Sequence, residues 1–300
     1  MRLVPVLTAL LLTACGAAPK PAASGPSTPP ASQPASATGR FTPHPVGEAD
    51  APAGYYEYLP PGYGDGTPRP LMIFLHGFGG NGDGSASQLD NLFDGGPPQL
   101  MHDGRWPADR PFVVLAPQHP APPDDPAYAS CEQGTHAASC VMKIQHELGH
   151  PAGRTLCATP AEVERFLTYA LGHYKVDPER VYLTGLSCGA YAAYEYVAAY
   201  GPAKVAAVVA IAGDARPAWA AAQCRLGTVP IWAFHGDADD TVAPAGSTEP
   251  AANLAKCPVP PGRPVKLTTY PGVGHDAWTR TFDLSAGNDI YAWLLDITGP

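Results

Sequence analysis

Short apolar runs of strand length alternate with longer, helix-forming stretches from about Phe41 to the end of the chain. The short runs are rich in Val, Ile, Leu, Phe and Tyr, and several of them are continuously apolar. Continuously apolar strands are typical of a parallel sheet that is covered on both faces. These runs predict strands at Tyr55–Leu59, Leu71–Leu75, Phe112–Ala116, Val181–Thr184, Val205–Ile211, Ile231–Phe234 and Val265–Tyr270.

Helix-forming stretches separate several of these strands. The stretch Thr159–Tyr174 is predicted to begin with Thr159 as its N-cap and Pro160 in its first turn, where a helix tolerates proline. Two further helices are predicted at Cys188–Tyr200 and Asp289–Asp296. Strands that alternate with helices indicate an α/β fold, in which a mostly parallel central sheet has helices on both faces.

A long stretch rich in Pro, His and Cys, Gln118 to Leu156, interrupts this alternation. We expect this insertion to lie over the carboxyl edge of the sheet, where ligands bind in folds of this class. Together with Phe78, Tyr128 and Trp278 it is a candidate lining for an acyl or aryl pocket. Packing within the core or the loops is an equally good explanation of each of these side chains.

The first residues have the features of an export signal. Arg2 supplies a positive charge, and the apolar run Leu3–Leu12 is too short to cross a bilayer as a helix but suits the central region of a signal peptide. The run ends in Leu12-Thr13-Ala14-Cys15, which resembles the lipobox of bacterial lipoproteins. That resemblance implies cleavage before Cys15 and acylation of this residue, whereas an ordinary secreted protein would be cut near Ala18.

The resulting domain organisation has three parts. Residues 1–14 are predicted to be a lipoprotein signal peptide, and residues 15–40 a lipidated cysteine followed by a tether rich in Pro, Ala and Ser. Residues 41–300 are predicted to form the folded domain. We expect the protein to be exported and held on the cell envelope through Cys15, with this domain facing the periplasm or the exterior.

The amino-acid composition indicates which kinds of molecule the protein is expected to bind. The chain has 300 residues, of which 45% are hydrophobic and 15% charged, and this is enough apolar material for a sizeable core. Its formal net charge is −9, with 18 Lys and Arg residues scattered along the sequence. Nucleic acids bind to clustered basic side chains, so a nucleic-acid partner is not expected. No cofactor is expected.

A strand followed by Gly-x-Ser-x-Gly and a helix is the strongest chemical signal. The strand Val181–Thr184 leads into Gly185-Leu-Ser187-Cys-Gly189, and the helix at Cys188–Tyr200 follows. A sharp strand-to-helix turn of this kind exposes the serine hydroxyl at the end of a sheet, and the small neighbours make room for it. Ser187 is therefore a candidate nucleophile, and a glycine-rich turn with a capping serine is the alternative.

A serine nucleophile needs a base and a group that orients the base. Downstream of Ser187, the strand Ile231–Phe234 ends in a turn that carries Asp237, Asp239 and Asp240. The last predicted strand is followed by a loop that carries His275. Ser187, one of these aspartates and His275 are therefore candidates for a catalytic triad, and the order serine, acid, histidine, each just beyond a strand, resembles that of the α/β-hydrolases.

These motifs resemble the α/β-hydrolase superfamily over residues from about 54 to 297. Within it they resemble secreted bacterial carboxylesterases of the phospholipase/carboxylesterase group, and enzymes of the polyhydroxybutyrate-depolymerase or feruloyl-esterase type. The stretches that carry the resemblance are Tyr182–Ser187, Phe234–Val242 and Gly272–Arg280. The resemblance implies that residues 41–300 are a catalytic domain with the α/β-hydrolase fold. It also favours Asp239 as the acid, because Gly236-x-x-Asp239-x-x-Val242 is similar to the family's acid turn.

The resemblance also implies an oxyanion hole. The strand Leu71–Leu75 runs into His76-Gly-Phe78-Gly-Gly, and such loops in the family turn a backbone N–H toward the substrate carbonyl oxygen. The N–H groups of Phe78 and Cys188 are the two candidate donors. His76 is expected to shape this loop rather than to act as a base.

Cysteine usage agrees with export. Apart from Cys15, six cysteines are present, and an even number in an exported protein favours disulfides. Six cysteines allow fifteen complete connectivities, of which we expect bridges Cys131–Cys140 and Cys224–Cys257. Many relatives carry Met or Ala at the position of Cys188, and the cysteine found here allows a disulfide beside the nucleophile. The pairing of the remaining cysteines stays open.

A rival motif belongs to a different class of enzyme. His146-Glu147-Leu-Gly-His150 matches H-E-x-x-H, in which two histidines one helical turn apart bind zinc and the glutamate acts as base. Pro151 disfavours helical backbone at His150. We therefore predict no metal site, and we expect a serine esterase that forms an acyl-enzyme on small or polymeric esters. A serine peptidase of the same fold and a zinc metallopeptidase are the alternatives.

Overall fold

A computed structural model describes residues 38–48, 50–120, 156–258 and 265–299. Eight strands in this part of the chain form one sheet with the order β1-β2-β4-β3-β5-β6-β7-β8. Only β2 runs antiparallel to its neighbours, and the other pairs are parallel. The strands are β1 (Arg40–His44), β2 (Tyr55–Leu59), β3 (Arg69–Leu75), β4 (Val113–Pro117), β5 (Val176–Leu186), β6 (Ala207–Ile211), β7 (Ile231–Gly236) and β8 (Lys266–Tyr270).

Helices cover both faces of the sheet, which confirms the predicted α/β fold. The α-helices are α1 (Gly96–His102), α2 (Pro160–His173), α3 (Cys188–Tyr200), α4 (Arg216–Ala222), α5 (Ala245–Leu254), α6 (Trp278–Phe282) and α7 (Ile290–Leu295). Side chains of α2, α3, α4 and α5 belong to the buried cluster on one face. Side chains of α1, α6 and α7 belong to the cluster on the other face. Short 3-10 turns at Phe78–Gly80, Leu89–Asp94 and Gln223–Thr228 complete the framework.

The central strands are continuously apolar because each contributes to both clusters. In β3, Leu71 and Ile73 pack into one cluster while Met72 and Phe74 pack into the other, as the two-residue period of a strand requires. All five residues of β6 are buried. Burial on both sides removes the alternation that a half-exposed strand would show.

The start of α2 follows the sequence-based prediction. The Thr159 side chain accepts a hydrogen bond from the Glu162 N–H, and the Glu162 carboxylate accepts one from the Thr159 N–H. This reciprocal pair is a capping box, and Pro160 occupies the first helical position. The residue before α2 is therefore firmly placed, which matters for the site described below.

Several elements differ from the prediction. The strand β1 was not predicted, because it lies at the edge of the sheet, is half exposed and contains Pro43, so that no apolar run marks it. The strand β5 begins at Val176, where it pairs with Arg69, although the next few residues are polar and exposed. The helices α1, α4, α5 and α6 were missed because they are short or contain Gly and Pro.

The N-terminal predictions lie outside the described residues, as does most of the insertion. These are the signal peptide, Cys15, nearly all of the tether, the pocket residue Tyr128, and the bridge Cys131–Cys140. Within the described ranges, no helix is long and apolar enough to cross a membrane.

Candidate active site

Ser187 occupies the sharp turn between β5 and α3. Its backbone has φ +48° and ψ −118°, a conformation that costs energy in a residue with a side chain. The flanking glycines make the turn sterically feasible. A Cβ on Gly189 would overlap the carbonyl oxygen of Leu75, and a Cβ on Gly185 would overlap the backbone of Gly189. The strained turn and its glycines thus hold the serine at the carboxyl end of the sheet.

His275 lies between Ser187 and Asp239. Its Nε2 is 3.0 Å from the Oγ of Ser187, and its Nδ1 is 2.8 Å from Oδ2 of Asp239. When Nδ1–H donates to the carboxylate, Nε2 is left as the acceptor for the serine hydroxyl. The structure therefore brings together the three residues that the sequence indicated, from the turns that follow β5, β7 and β8.

Asp239 accepts hydrogen bonds from three groups and also contacts the ring of His235. Its Oδ1 accepts from the N–H groups of Thr241 and Val242, both at 2.9 Å, while His235 Nε2 lies 3.1 Å from Oδ2, which also faces His275. Burial by itself raises the pKa of this carboxyl. The interactions with His235, His275 and the Val242 N–H outweigh burial and hold the pKa of Asp239 well below its usual range. An ionised carboxylate at this position is therefore well stabilised.

The two other carboxylates of the turn point elsewhere. Asp237 Oδ1 accepts a hydrogen bond from the Gly272 N–H at 2.6 Å and so ties this turn to the one after β8. Asp240 is exposed. Neither makes the contact with His275 that Asp239 makes.

His235 was not singled out from the sequence. Its side chain is fully buried, with Nδ1 2.7 Å from the Oγ of Ser247 and Nε2 2.9 Å from the carbonyl oxygen of Val242. The only sequence signal is the spacing of four residues between His235 and Asp239. That spacing carries no meaning until the turn after β7 is known to fold the two side chains together.

The two candidate oxyanion donors open two helical segments beside the serine. Phe78 is the first residue of the 3-10 turn Phe78–Gly80, and Cys188 is the first residue of α3. The N–H at such a position has no partner within its own helix. Neither N–H donates to a backbone acceptor in the part of the chain that the structure describes. The loops lie close together, since a Cβ on Gly77 would lie 3.7 Å from that of Ser187.

His76 shapes the first of these loops. Its Nδ1 lies 2.6 Å from the Gly77 carbonyl oxygen, and its Nε2 accepts the His119 N–H at 2.8 Å. Because Nε2 accepts, the proton of the neutral ring is on Nδ1. Burial lowers the pKa of His76 to about 4. Both ring nitrogens serve backbone groups, as the expected structural role requires.

A cavity of about 140 Å³ lies beside Cys188. Its walls include the apolar side chains of Ile73, Leu75, Val163 and Phe166, and its polar groups include Gln118, His119 and Glu162. Burial raises the pKa of Glu162, but hydrogen bonds from the His119 side chain and the Thr159 N–H outweigh it and lower this pKa to about 2. Of the predicted pocket residues, Trp278 packs edge-on against the His275 ring, at 5.1 Å between centroids.

Two disulfides are present in the described residues. Cys224–Cys257 was predicted and is confirmed. Cys157–Cys188 joins the residue after the candidate nucleophile to the segment just before α2. The sequence drew attention to Cys188 but did not indicate its partner, because the two cysteines are 31 residues apart and no local pattern relates them.

The rival zinc motif lies outside the described residues. His146, Glu147 and His150 all fall within the part of the insertion that the structure does not describe. Among the described residues, no group of three or more His, Cys, Asp or Glu side chains is placed to hold a metal ion.

The sequence matches the model of the dienelactone hydrolase family over residues 128–286. No curated protein matches the chain. Among solved structures, a thermostable esterase is 21% identical with a TM-score of 0.57, and the alignment covers 86% of this chain and 63% of that one. MGS-M1, an α/β-hydrolase enzyme from a Medee basin deep-sea metagenome library, is 15% identical with a TM-score of 0.51 and coverages of 87% and 99%. An S-formylglutathione hydrolase from Agrobacterium tumefaciens is 16% identical with a TM-score of 0.50 and coverages of 87% and 95%. At these identities the likenesses show a shared fold.

Proposed function

This hydrolase belongs to the dienelactone hydrolase family, and we propose that it cleaves carboxylic esters through an acyl-enzyme intermediate. The observation that carries the proposal is the chain of contacts from Ser187 Oγ to His275 Nε2, and from His275 Nδ1 to Asp239. Nucleophile, base and orienting carboxylate stand in the order and at the distances that serine hydrolysis requires.

In the first half-reaction, the Ser187 oxygen attacks the ester carbonyl carbon while its proton passes to His275 Nε2. Asp239 stabilises the imidazolium that forms. The carbonyl oxygen becomes an oxyanion, which accepts hydrogen bonds from the N–H groups of Phe78 and Cys188. His275 then returns the proton to the leaving alcohol as the C–O bond breaks, and Ser187 retains the acyl group.

In the second half-reaction, water replaces the alcohol. His275 removes a proton from the water, whose oxygen attacks the acyl carbon. Collapse of the second tetrahedral intermediate releases the carboxylic acid and returns the proton to Ser187. This chemistry uses only side chains and backbone groups of the chain, so the proposal includes no cofactor.

We propose short-chain or aryl esters as the substrates. Support comes from the cavity beside Cys188, which has an apolar wall and a volume of about 140 Å³, enough for a small acyl or aryl group. A panel of acetyl, butyryl, octanoyl and feruloyl esters, with peptide amides beside them, measures the preference as kcat/KM. Faster turnover of the amides than of every ester would overturn the esterase assignment while leaving the serine mechanism intact.

Replacement of the nucleophile tests the mechanism. We expect Ser187→Ala to abolish hydrolysis of p-nitrophenyl butyrate and labelling by a fluorophosphonate. The exposed Ser87→Ala is the matched control and should leave both unchanged. Full activity of the Ser187→Ala variant would reject the proposal. A wild-type protein that is neither active nor labelled would indicate a hydrolase fold that has lost its catalytic function.

Export and lipidation form a separate proposal. It is supported by the lipobox-like Leu12-Thr13-Ala14-Cys15, and it agrees with the two disulfides, which persist in oxidising compartments. The mature chain should begin at acylated Cys15 and partition into detergent, because two or more acyl chains hold a protein on a membrane more firmly than one. Mass spectrometry that finds an unmodified N-terminus elsewhere would reject this proposal.

A further inference from the structure

The segment Leu156–Cys157 contacts both loops that carry the proposed oxyanion donors. Cys157 is joined by its disulfide to Cys188, with 5.0 Å between the two Cα atoms. The carbonyl oxygen of Leu156, the preceding residue, accepts a hydrogen bond from Asn81 Nδ2 at 3.0 Å. Leu156 thus contacts the turn after β3, and Cys157 is bonded to the start of α3.

Asn81 is coupled directly to Phe78. The Asn81 N–H donates to the Phe78 carbonyl oxygen at 3.1 Å and so closes the 3-10 turn that begins with Phe78. A displacement of Asn81 therefore displaces the short turn on which the Phe78 N–H depends. On the other side, Cys188 is at once the disulfide partner and the residue whose N–H is the second donor.

The segment Leu156–Cys157 is itself held in place by burial and by the helix α2. Leu156 is fully buried and Cys157 is 7% exposed, and the capping box at Thr159 starts α2 two residues later. The helix α2 is tied to its surroundings through Glu164, whose carboxylate accepts a hydrogen bond from the Tyr196 hydroxyl at 2.9 Å and pairs with Lys204. The segment Leu156–Cys157 is thus anchored on packed secondary structure.

We infer that Leu156–Cys157 is a clamp that sets the separation of the Phe78 and Cys188 N–H groups. In this inference, which rests on the proposed function, Cys157 and Asn81 are positioning residues for the oxyanion hole. The two donors belong to separate loops, and both must lie about 2.7–3.1 Å from the developing negative charge. A misplacement of about 1 Å can cost about 100-fold in rate, so a covalent tie between the loops has a direct catalytic effect.

The chain supplies a matched control in its other disulfide. Cys224–Cys257 spans 33 residues, against 31 for Cys157–Cys188, so the two bridges close loops of nearly equal length and restrain the unfolded chain similarly. The control bridge joins the 3-10 turn after α4 to the residues after α5. It contacts neither of the two donor loops.

The experiment compares two double variants on p-nitrophenyl butyrate. We expect Cys157→Ala/Cys188→Ala to lose about 10-fold or more in kcat with KM changed by less than about 2-fold, because the ground-state ester does not use the oxyanion donors fully. Its affinity for a trifluoromethyl ketone, which forms an oxyanion on the serine, should fall by a similar factor. The Cys224→Ala/Cys257→Ala variant should lose a comparable amount of thermal stability while keeping its kcat.

Asn81→Asp tests the clamp with both disulfides intact, since the carboxylate keeps the shape of the side chain but lacks the Nδ2 donor. We expect kcat to fall several-fold with KM nearly unchanged, and this variant decides the question if the clamp cysteine variant does not fold. Equal kcat losses in the two double variants, or an unchanged kcat in the clamp variant and in Asn81→Asp, would overturn the inference. If Ser187→Ala also retains activity, the proposed function is wrong. If activity is lost in Ser187→Ala but not in the clamp variants, the proposed function stands and only the clamp inference is wrong.

Discussion

The imidazole of His235 lies 3.1 Å from Oδ2 of Asp239, the same carboxylate oxygen that His275 contacts at 2.8 Å. Asp239 is therefore oriented from the protein interior as well as from the side of the serine. His235 is in turn fixed by Ser247 and by the carbonyl oxygen of Val242. The proposed catalytic acid thus has a buried support that its neighbours in the turn, Asp237 and Asp240, do not share.

His235 is expected to act as a positioning residue. We predict that His235→Leu lowers kcat by about 10- to 100-fold with little change in KM, because the carboxylate loses one restraint and misorients His275. His235→Gln, whose amide can donate from nearly the same place as Nε2, should restore most of the loss. Steady-state kinetics of the two variants give the comparison. Equal losses in both would point to core packing rather than to the hydrogen bond.

Replacement of Asp239 tests whether this carboxylate orients His275. We expect Asp239→Asn to lower kcat by about 10⁴, the typical cost when the orienting carboxylate of a serine triad becomes an amide. The exposed Asp240→Asn is the control and should stay within about 2-fold of the wild type. Activity of Asp239→Asn close to that of the control would show that another group orients His275.

The pH dependence of stability follows from the same carboxyl. The folded pKa of Asp239 lies below its ordinary value of 3.8, so its ionised form stabilises the fold fully above about pH 4. This contribution is lost as the pH falls through the folded pKa. The free energy of unfolding of Asp239→Asn should therefore be lower than that of the wild type at pH 7, with a difference that narrows as the pH falls below about 4. Urea titrations at pH 7, 5 and 3 measure it, and a difference that grows in acid would contradict the assignment.

Gly189 should tolerate no side chain. We expect Gly189→Ala to destabilise the protein by more than about 3 kcal/mol or to prevent folding, because its Cβ would overlap the Leu75 carbonyl oxygen in a packed interior. Gly172, within α2, is the control, since a Cβ there meets nothing within 4 Å and alanine favours a helix by about 0.5–1 kcal/mol. Thermal and urea unfolding of both variants give the comparison. Similar stability of the two would show that the turn around Ser187 can relax.

Chelation distinguishes the serine mechanism from the zinc alternative. We expect EDTA to leave ester hydrolysis unchanged, because the proposed proton transfers run between Ser187 and His275 alone. The double variant His146→Ala/His150→Ala should likewise retain activity. Loss of activity on chelation, with recovery on addition of zinc and one bound metal ion per chain, would favour the metallopeptidase alternative.

The central strands and the three residues of the proposed catalytic triad could be predicted from the sequence, because burial leaves a pattern in the order of apolar residues. Burial on both faces of β6 and β7 demands continuous apolar runs, and Ser187 directly follows the buried end of β5. Asp239 and His275 lie in the turns after β7 and β8. The edge strand β1 has no such requirement and left no signal. The Cys157–Cys188 disulfide joins segments that are distant in sequence, and the contact between His235 and Asp239 forms only once the turn after β7 has folded. No local sequence pattern therefore predicts either of them.

The two edge strands of the described sheet carry residues that oppose β-pairing with other chains. In β1, Pro43 removes one backbone donor, and in β8 the Lys266 ammonium lies 3.5 Å from the centroid of the Trp232 ring at the outer end of the sheet. Prolines and lysines on edge strands oppose the addition of a strand from another molecule. Pro43 and Lys266 therefore disfavour strand addition from another chain at β1 and β8, the two edge strands of the described sheet.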